Sequence, residues 1–279
     1  MTLQIKRYLT QVVVAFLYNS KPFVKLEGKK LAVPVQDVCV PGLNCMHCRY
    51  SLAGCPLGIA QKAMRGGWES VAWQVWGILV LIALIFGRMI CGWACPIGFF
   101  QELLHKVPVP KINKNKFTRK LANLKYIVGV VLVLAIPYYT GHYTSNGISS
   151  FCATICPGLL LEAAILPKVL NGQWSALTSL FYNARFYWLL FLIITMLVVY
   201  RPFCRFLCPL GAVYGLFNKF SLMGIKVDKH KCVHCKVCRK VCKMDVKIAG
   251  ERECISCGEC LDKCPTKAIS YNSFSFGKK

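Results

Sequence analysis

The segment Arg88-Met-Ile-Cys91-Gly-Trp-Ala-Cys95-Pro96-Ile-Gly98 decides the fold, because it returns as Arg201-Pro-Phe-Cys204-Arg-Phe-Leu-Cys208-Pro209-Leu-Gly211. The arginine, both cysteines, the proline and the last glycine keep their spacing. Cysteines four residues apart share one face of a helix, and a proline ends the helix that precedes it. Each copy therefore places two thiols at a helix end, and the repetition predicts two related halves.

Long apolar stretches accompany these copies. Residues 71–89, 124–139 and 186–200 each approach the roughly 20 apolar residues that a bilayer core of ~30 Å requires. Residues 8–18, extended to 23, either span as well or lie in the interface. Residues 158–170 are too short to span and contain Glu162 and Pro167, so we expect a re-entrant or interfacial helix there.

Composition narrows the class of protein. Of 279 residues, 56% are hydrophobic and 16% are charged, whereas about 25% of the residues in soluble domains are charged. This excludes a soluble globular enzyme and a disordered chain. The 18 cysteines do not indicate a secreted disulfide scaffold, since such chains are short. No cleavable signal peptide is expected in residues 1–20.

The loops predict the orientation through their basic residues. Residues 105–120 carry six lysines and arginines and no Asp or Glu, and they are expected on the cytoplasmic side. Residues 141–183 are poor in basic residues before the last span and are expected outside, so everything after Arg201 lies in the cytoplasm. Residues 21–65 oppose this assignment, because they are also basic but are expected outside.

An eight-cysteine run predicts a ferredoxin domain over residues 225–279, after a membrane domain over residues 1–224. In two-cluster ferredoxins, three closely spaced cysteines and a distant fourth hold each 4Fe–4S cluster, and the fourth comes from the other motif. Zinc sites, the alternative, favour two separated cysteine pairs. Cys242 departs from the pattern, because Lys243 follows it where a proline is usual. The predicted ligands are Cys232, Cys235, Cys238 and Cys264 for one cluster and Cys254, Cys257, Cys260 and Cys242 for the other.

The ten remaining cysteines fall into an inner and an outer group. Cys91, Cys95, Cys204 and Cys208 end two spans on the cytoplasmic side and suit one further 4Fe–4S cluster. The outer group includes a Cys-rich loop, residues 39–55. Its most ligand-like members are the pairs Cys45/Cys48 and Cys152/Cys156, while Cys39 and Cys55 complete a ligand set, form a redox disulfide or stay free. In the alternative interpretation these cysteines are small buried hydrophobic residues.

The paired Cys-x3-Cys-Pro elements at Cys91 and Cys204, followed by the run 232–264, resemble the NapH/NosR-type membrane iron–sulfur proteins over residues 70–265. The loop 39–55 looks like an extended "4Fe-4S binding protein" branch of that family. The resemblance implies electron passage between a quinol pool or cytoplasmic donor and proteins beyond the membrane. NosR-like proteins also carry a flavin-binding domain; nothing in this chain is long enough to supply one, which suggests a separate flavoprotein partner.

The charge of the C-terminal domain and the positions of the histidines limit the partners and cofactors that we expect. Lys and Arg outnumber Asp and Glu in residues 226–279, so this domain either attracts an acidic donor such as a ferredoxin or flavodoxin, or offsets cluster charge beside an anionic leaflet. Nucleic acid is not expected. The five histidines form no pair at helical spacing within a span, which argues against a bis-histidine haem. His142 is a candidate contact for a quinone headgroup.

The predicted fold is an α-helical membrane protein with three or four transmembrane helices in pseudo-symmetric halves, followed by an α+β two-cluster ferredoxin domain. The predicted function is electron relay between a cytoplasmic donor and a quinone or extracytoplasmic acceptor, in the cytoplasmic membrane with the ferredoxin domain inside. The alternatives are a quinol dehydrogenase subunit of a respiratory complex and a redox maturation factor for metalloproteins. No catalytic residue is predicted.

Overall fold

The computed structural model describes residues 2–20, 39–45, 47–48, 51, 54–65, 71–112, 116–143, 149–172 and 182–272. The described chain is mostly helical, with one two-stranded sheet near its C-terminus. The helices are α1 (Leu3–Tyr18), α2 (Pro56–Arg65), α3 (Val71–Phe86), α4 (Met89–Trp93), α5 (Pro96–His105), α6 (Lys116–Leu121), α7 (Leu124–Val128), α8 (Ile136–Tyr143), α9 (Ser150–Thr154), α10 (Leu166–Leu170), α11 (Ala184–Val198), α12 (Pro202–Phe206), α13 (Pro209–Phe217) and α14 (Val237–Val241), with π-helical turns at Gly129–Ala135 and Leu159–Ile165.

The sequence repeat appears as a repeated arrangement of helices. In the first half α3 is followed by the short α4 and then α5, and in the second half α11 is followed by the short α12 and then α13. The two halves pack across each other, because α5 contacts α11 while α13 contacts α3 and α7. The largest hydrophobic cluster lies at this junction and contains Cys91, Cys95, Cys204 and Cys208.

Residues Thr118–Tyr143 form the one helix in the described part of the chain that is long and apolar enough to cross a membrane. It coincides with the predicted span 124–139. The helices that cover the other two predicted spans are shorter, with apolar stretches at Gln74–Phe86 and Ala184–Val198. Large apolar side chains on all three are exposed, including Leu81, Ile127 and Phe191.

Helix α1 covers the predicted interfacial or spanning segment 8–18 and has two unlike faces. Arg7 and Gln11 are fully buried, whereas Ile5, Leu9 and Phe16 are more than half exposed. Gln11 Nε2 donates to the carbonyl oxygen of Gly92 at 2.8 Å, which attaches α1 to the end of α4. The outer face of α1 is therefore apolar.

The segment predicted to be re-entrant or interfacial is helical through Leu159–Ile165 and α10. Leu160 packs against Leu189 of α11 in a small cluster of its own. Glu162 is buried within this segment.

The C-terminal domain is organised by the antiparallel pair β1 (Gly224–Val227) and β2 (Ile269–Asn272), in which Ile225 faces Tyr271 in the register. It packs directly on the helical part of the chain. Trp93 Nε1 donates to the carbonyl oxygen of Ser256 at 2.9 Å. A Cβ atom at Gly92 would lie within 3.0 Å of the Ile255 carbonyl oxygen, so Gly92 is the point of closest approach.

Candidate metal centres

The inner set consists of Cys91, Cys95, Cys204 and Cys208, as predicted. Cys91 lies within α4 and Cys204 within α12, while Cys95 and Cys208 are the N-cap residues of α5 and α13. All four thiols are buried and lie within electrostatic range of one another. The Cys208 sulfur accepts a hydrogen bond from the Gly211 backbone N–H at 3.4 Å. A helix N-terminus favours negative charge, so the ends of α5 and α13 offset part of the cost of burying a thiolate at Cys95 and Cys208.

Two arginines hold the inner set together by crossing between the halves. Arg88 belongs to the first copy, and its Nη2 donates to the carbonyl oxygen of Cys204 at 3.0 Å. Arg201 belongs to the second copy and donates from Nη1 to the carbonyl oxygen of Cys91. Both side chains are almost fully buried. Each half therefore fixes the cysteine of the other half.

A buried ionic network surrounds these arginines. Glu102 accepts from Arg7 Nη1 at 2.9 Å and lies 3.0 Å from Arg201 Nη2. Glu253, from the ferredoxin domain, pairs with both Arg88 and Lys125. Burial opposes ionisation of Glu253, but Arg88 and Lys125 outweigh it and hold its pKa below the ordinary value.

An independent observation supports a 4Fe–4S cluster at the inner set. The Nε atoms of Arg88 and Arg201 are buried, and neither has a hydrogen-bond partner among the described residues. Buried guanidinium donors are costly unless they are paired. Both arginines lie within electrostatic range of Cys204, so sulfur atoms of a bound cluster are suitable acceptors for them.

The outer set is a second buried group of cysteines. Cys45, Cys55, Cys152 and Cys156 line one small cavity, together with Glu162. Cys156 interacts electrostatically with the other three thiols, and Cys152 interacts with Cys45 and Cys55. Glu162 accepts a hydrogen bond from the Cys45 backbone N–H, which fixes the loop against the helical segment.

Two glutamines hold cysteines of the inner and outer sets in the same way. Gln101 Nε2 donates to the Cys204 sulfur at 2.9 Å, and its Oε1 accepts from the Phe203 N–H at 3.1 Å. Gln61 Nε2 donates to the Cys152 sulfur at 3.2 Å, and its Oε1 accepts from the Phe151 N–H at 3.1 Å. In both sets, therefore, a glutamine donates to one cysteine sulfur and accepts from the backbone N–H of the residue before that cysteine.

Residues 41–45 lie between the inner and outer sets. The backbone of Leu43 interacts with the Cys95 sulfur, and the backbone of Asn44 interacts with the Cys55 sulfur. A Cβ atom on Gly42 would lie 3.3 Å from the Cys95 Cα. One short stretch of backbone thus separates the two sets.

The first predicted ferredoxin set is brought to one open cavity. Cys232, Cys235, Cys238 and Cys264 line a cavity of about 670 Å³, which also contains Val233 and several lysines. Cys235 is exposed, so this set lies closest to the solvent among the four.

The second predicted ferredoxin set is also brought together. Cys260 lies within electrostatic range of Cys254, Cys257 and Cys242. Burial raises the pKa of the Cys257 thiol to about 11, since the charged form is poorly solvated there. Asn218 Nδ2 donates to the Cys254 carbonyl oxygen at 3.1 Å and so joins this set to the end of α13.

In the described part of the chain, no three Cys, His, Asp or Glu side chains converge closely enough to hold one metal ion. Zinc would need its sulfur ligands about 2.3 Å from one centre, whereas a cubane distributes four thiolates over four iron atoms.

Some predicted residues lie elsewhere. Cys48 is fully buried and near Cys45, but Cys55 and not Cys48 lines the outer cavity. Cys39 pairs through its backbone with Gly54 and packs against Ile59, Ala60 and Val75. The ligand role of Cys48 stays a prediction. His142 stacks on Tyr138 with ring centroids 5.9 Å apart, and its proposed quinone contact is likewise untested.

The sequence interpretation missed the supporting residues. Gln61 and Gln101 each stand six residues after a Cys-Pro cysteine, at Cys55 and Cys95, so the shared spacing was a readable signal. The crossing of Arg88 and Arg201 carried no such signal, because it depends on how the halves pack.

Comparison with known proteins identifies the family. A model described as a 4Fe-4S binding domain matches residues 74–115 and 182–229, and a second model with that description matches residues 251–270. An uncharacterised protein of Methanocaldococcus jannaschii is 31% identical over 235 residues, covering 81% of this chain and 88% of that protein. The ferredoxin-type protein NapH of Haemophilus influenzae is 26% identical over 212 residues, covering 70% of this chain and 66% of its own length. The chain belongs to the NapH/NosR-type family of 4Fe–4S-binding proteins.

Family membership confirms the resemblance inferred from the Cys-x3-Cys-Pro elements and the eight-cysteine run. The regulatory protein NosR of Stutzerimonas stutzeri is 26% identical over 202 residues, but the match covers only 25% of its length. No solved structure matches the chain. As a NapH/NosR-type protein with 4Fe–4S binding domains, the chain is an iron–sulfur electron-transfer protein.

Proposed function

We propose that the protein is a multi-pass membrane electron conduit with four 4Fe–4S clusters, relaying electrons between a cytoplasmic donor and a quinone or extracytoplasmic acceptor. The clusters supply one-electron redox chemistry when bound. The observation that carries the proposal is that the four cysteine sets follow one another through contacts of the chain. The first of these contacts is a hydrophobic cluster on which Cys238 and Cys264 of one ferredoxin set pack together with Cys260 of the other.

The proposed ligands follow the four sets. The two ferredoxin sets keep the predicted assignment, with Cys242 and Cys264 exchanged between the motifs. The inner set is Cys91, Cys95, Cys204 and Cys208. The outer set is Cys45, Cys55, Cys152 and Cys156, because these four thiols line the cavity that Cys48 does not reach.

Contacts between the sets make a continuous path. The set that includes Cys254 meets the inner set where Ile255 and Ser256 pack on Gly92 and Trp93. The inner set meets the outer set through Leu43 and Asn44. The chain's own residues therefore fix the spacing and exclude water along the buried part of the path.

The exposed apolar surface supports a membrane location. Outward-facing side chains on α1, α3, α11 and the long helix Thr118–Tyr143 are large and apolar. Glu253 of the ferredoxin domain pairs with Arg88 at the end of α3, so this domain lies at the same end as the basic segment 105–120. The basic segment favours the cytoplasmic side for that end.

The ferredoxin end favours a small acidic donor. Lys226, Lys229, Lys236, Arg239 and Lys247 line the cavity of the exposed Cys235 set. Complementary charge accelerates the encounter of two proteins and orients them. A soluble ferredoxin or flavodoxin has the required size and chemistry.

Cluster stoichiometry tests this proposal. Protein purified without oxygen should contain about 16 iron atoms, four for each cubane, with matching sulfide. About eight iron atoms, with EPR signals from the ferredoxin domain alone, would remove the conduit and leave a tethered ferredoxin. In liposomes, reduction of the clusters by added quinol without a soluble donor would favour quinol oxidation instead.

A further inference from the structure

Buried positive charge is concentrated at the inner set. Arg7, Arg88, Arg201 and Lys125 are each almost fully buried there. Glu102 and Glu253 are the two acidic groups paired with them. Four cations against two anions leave this network with an excess of two positive charges. An oxidised cubane with four thiolates carries about −2, so the chain matches that charge with its own residues.

The outer set has different surroundings. Among the described residues that line its cavity there is no lysine or arginine, and Glu162 supplies a carboxyl group. The inner and outer sets share the same glutamine support, in Gln101 and Gln61. Among the described residues, the two sites therefore differ in buried charge, and His47 also lines the outer cavity.

We infer that Arg88 and Arg201 set the reduction potential of the inner cluster and place it above that of the outer cluster. Reduction adds one electron and no proton, so the charge of the cluster and its thiolates changes from about −2 to about −3. Nearby cations stabilise the more negative state, and a buried site strengthens that effect because screening is weak. The inference rests on the proposed inner and outer clusters. It makes transfer from the inner to the outer cluster an uphill step in the relay from a cytoplasmic donor.

The two arginines act as positioning residues as well as charges. Each Nη donates to a cysteine carbonyl of the opposite half, while each Nε is buried without a partner among the described residues. Lysine at either position retains the positive charge but lacks the planar guanidinium group with its several N–H donors. Charge and geometry can therefore be separated by substitution.

The test is an EPR-monitored redox titration of the full-length protein in Arg88→Gln, Arg201→Gln, Arg88→Lys and Arg119→Gln variants. Arg119 is the control, since it is about one-third exposed and reaches the inner set only indirectly, through Asp245 and Arg205. We expect each glutamine variant to lower the reduced-to-oxidised ratio of the inner cluster at least tenfold at fixed potential, about 59 mV for one electron. Arg88→Lys should retain most of the wild-type value, and Arg119→Gln should leave it unchanged.

The Glu253→Gln variant provides a second test of the inference if Arg88→Gln or Arg201→Gln fails to fold. It removes a negative charge from the same network, so the inner potential should rise. An unchanged potential in this variant, an equal shift in Arg119→Gln, or an inner potential below the outer one would overturn the inference. Absence of the inner cluster from wild-type protein would instead overturn the proposed function, so the two failures are distinguishable.

Discussion

Gly92 offers a sharp test of the path between the ferredoxin domain and the helical part. A Cβ atom there would lie within 3.0 Å of the Ile255 carbonyl oxygen, a distance that real Cβ contacts essentially never show. The obstacle is backbone on both sides, so no side-chain rotation relieves it. Gly92→Ala must therefore push the segment carrying Cys254 and Cys257 away from α4.

The size of the effect follows from overpacking. Adding carbon atoms to a tightly packed contact costs about 1–3 kcal/mol. Such a penalty lowers the ratio of docked to undocked ferredoxin domain by roughly 5- to 150-fold. No cysteine is replaced, and the Cys254 set moves as part of its domain, so cluster content should stay at the wild-type value.

The assay is rapid-freeze EPR after reduction of the ferredoxin domain, which follows the arrival of electrons at the inner set. Gly77→Ala is the matched control, because a Cβ atom there meets nothing within 4 Å. We expect slow transfer in Gly92→Ala and wild-type transfer in Gly77→Ala. Wild-type transfer in Gly92→Ala, with full iron content, would refute the contact as the route.

Three further predictions follow from the supporting residues. Gln101→Leu leaves the Phe203 N–H and the Cys204 sulfur without their partner, so the free energy of unfolding should fall by about 1–3 kcal/mol. Gln61→Leu should cause a similar loss at the outer set. Thermal unfolding measures both, and an unchanged unfolding temperature would contradict the prediction. Cys55→Ser and Cys156→Ser should each lose about a quarter of the iron, one cubane in four, while Cys39→Ser should lose none, and iron analysis decides. Reduction by an acidic soluble carrier should slow as salt rises, because screening weakens attraction to the lysines around Cys235; stopped-flow rates independent of salt would argue against that docking site.

Local spacing allowed the two ferredoxin cysteine groups to be predicted from the sequence. The run from Cys232 to Cys264 predicts the exchange of Cys242 and Cys264, and the structure brings the same two groups of four together. The inner set was readable for a second reason: the copies at Cys91 and Cys204 are nearly identical in spacing.

The outer set was harder to predict, since two of its proposed ligands, Cys45 and Cys55, come from the loop 39–55. Nothing in the spacing of residues 39–55 ranks Cys55 above Cys48, and the choice is made by packing of α2 against the rest of the fold. The buried network has the same origin. Glu253 lies far along the chain from Arg88 and Lys125, and no local pattern predicts that they meet.

The Cys-Pro-x-Gly element explains why one short motif serves at more than one site. Proline at the first helical position needs no hydrogen-bond partner for its nitrogen, so the next free N–H groups point towards the cysteine sulfur, as Gly211 does towards Cys208. The glycine has a second task. A Cβ atom on Gly98 would lie 2.9 Å from the Cys91 carbonyl oxygen and 3.1 Å from Arg201 Nη1, so only glycine admits the arginine that crosses from the other half. A single motif thus provides a thiol, the helix end beside it and the opening through which the halves are joined, so its two copies supply the four cysteines of the proposed inner centre.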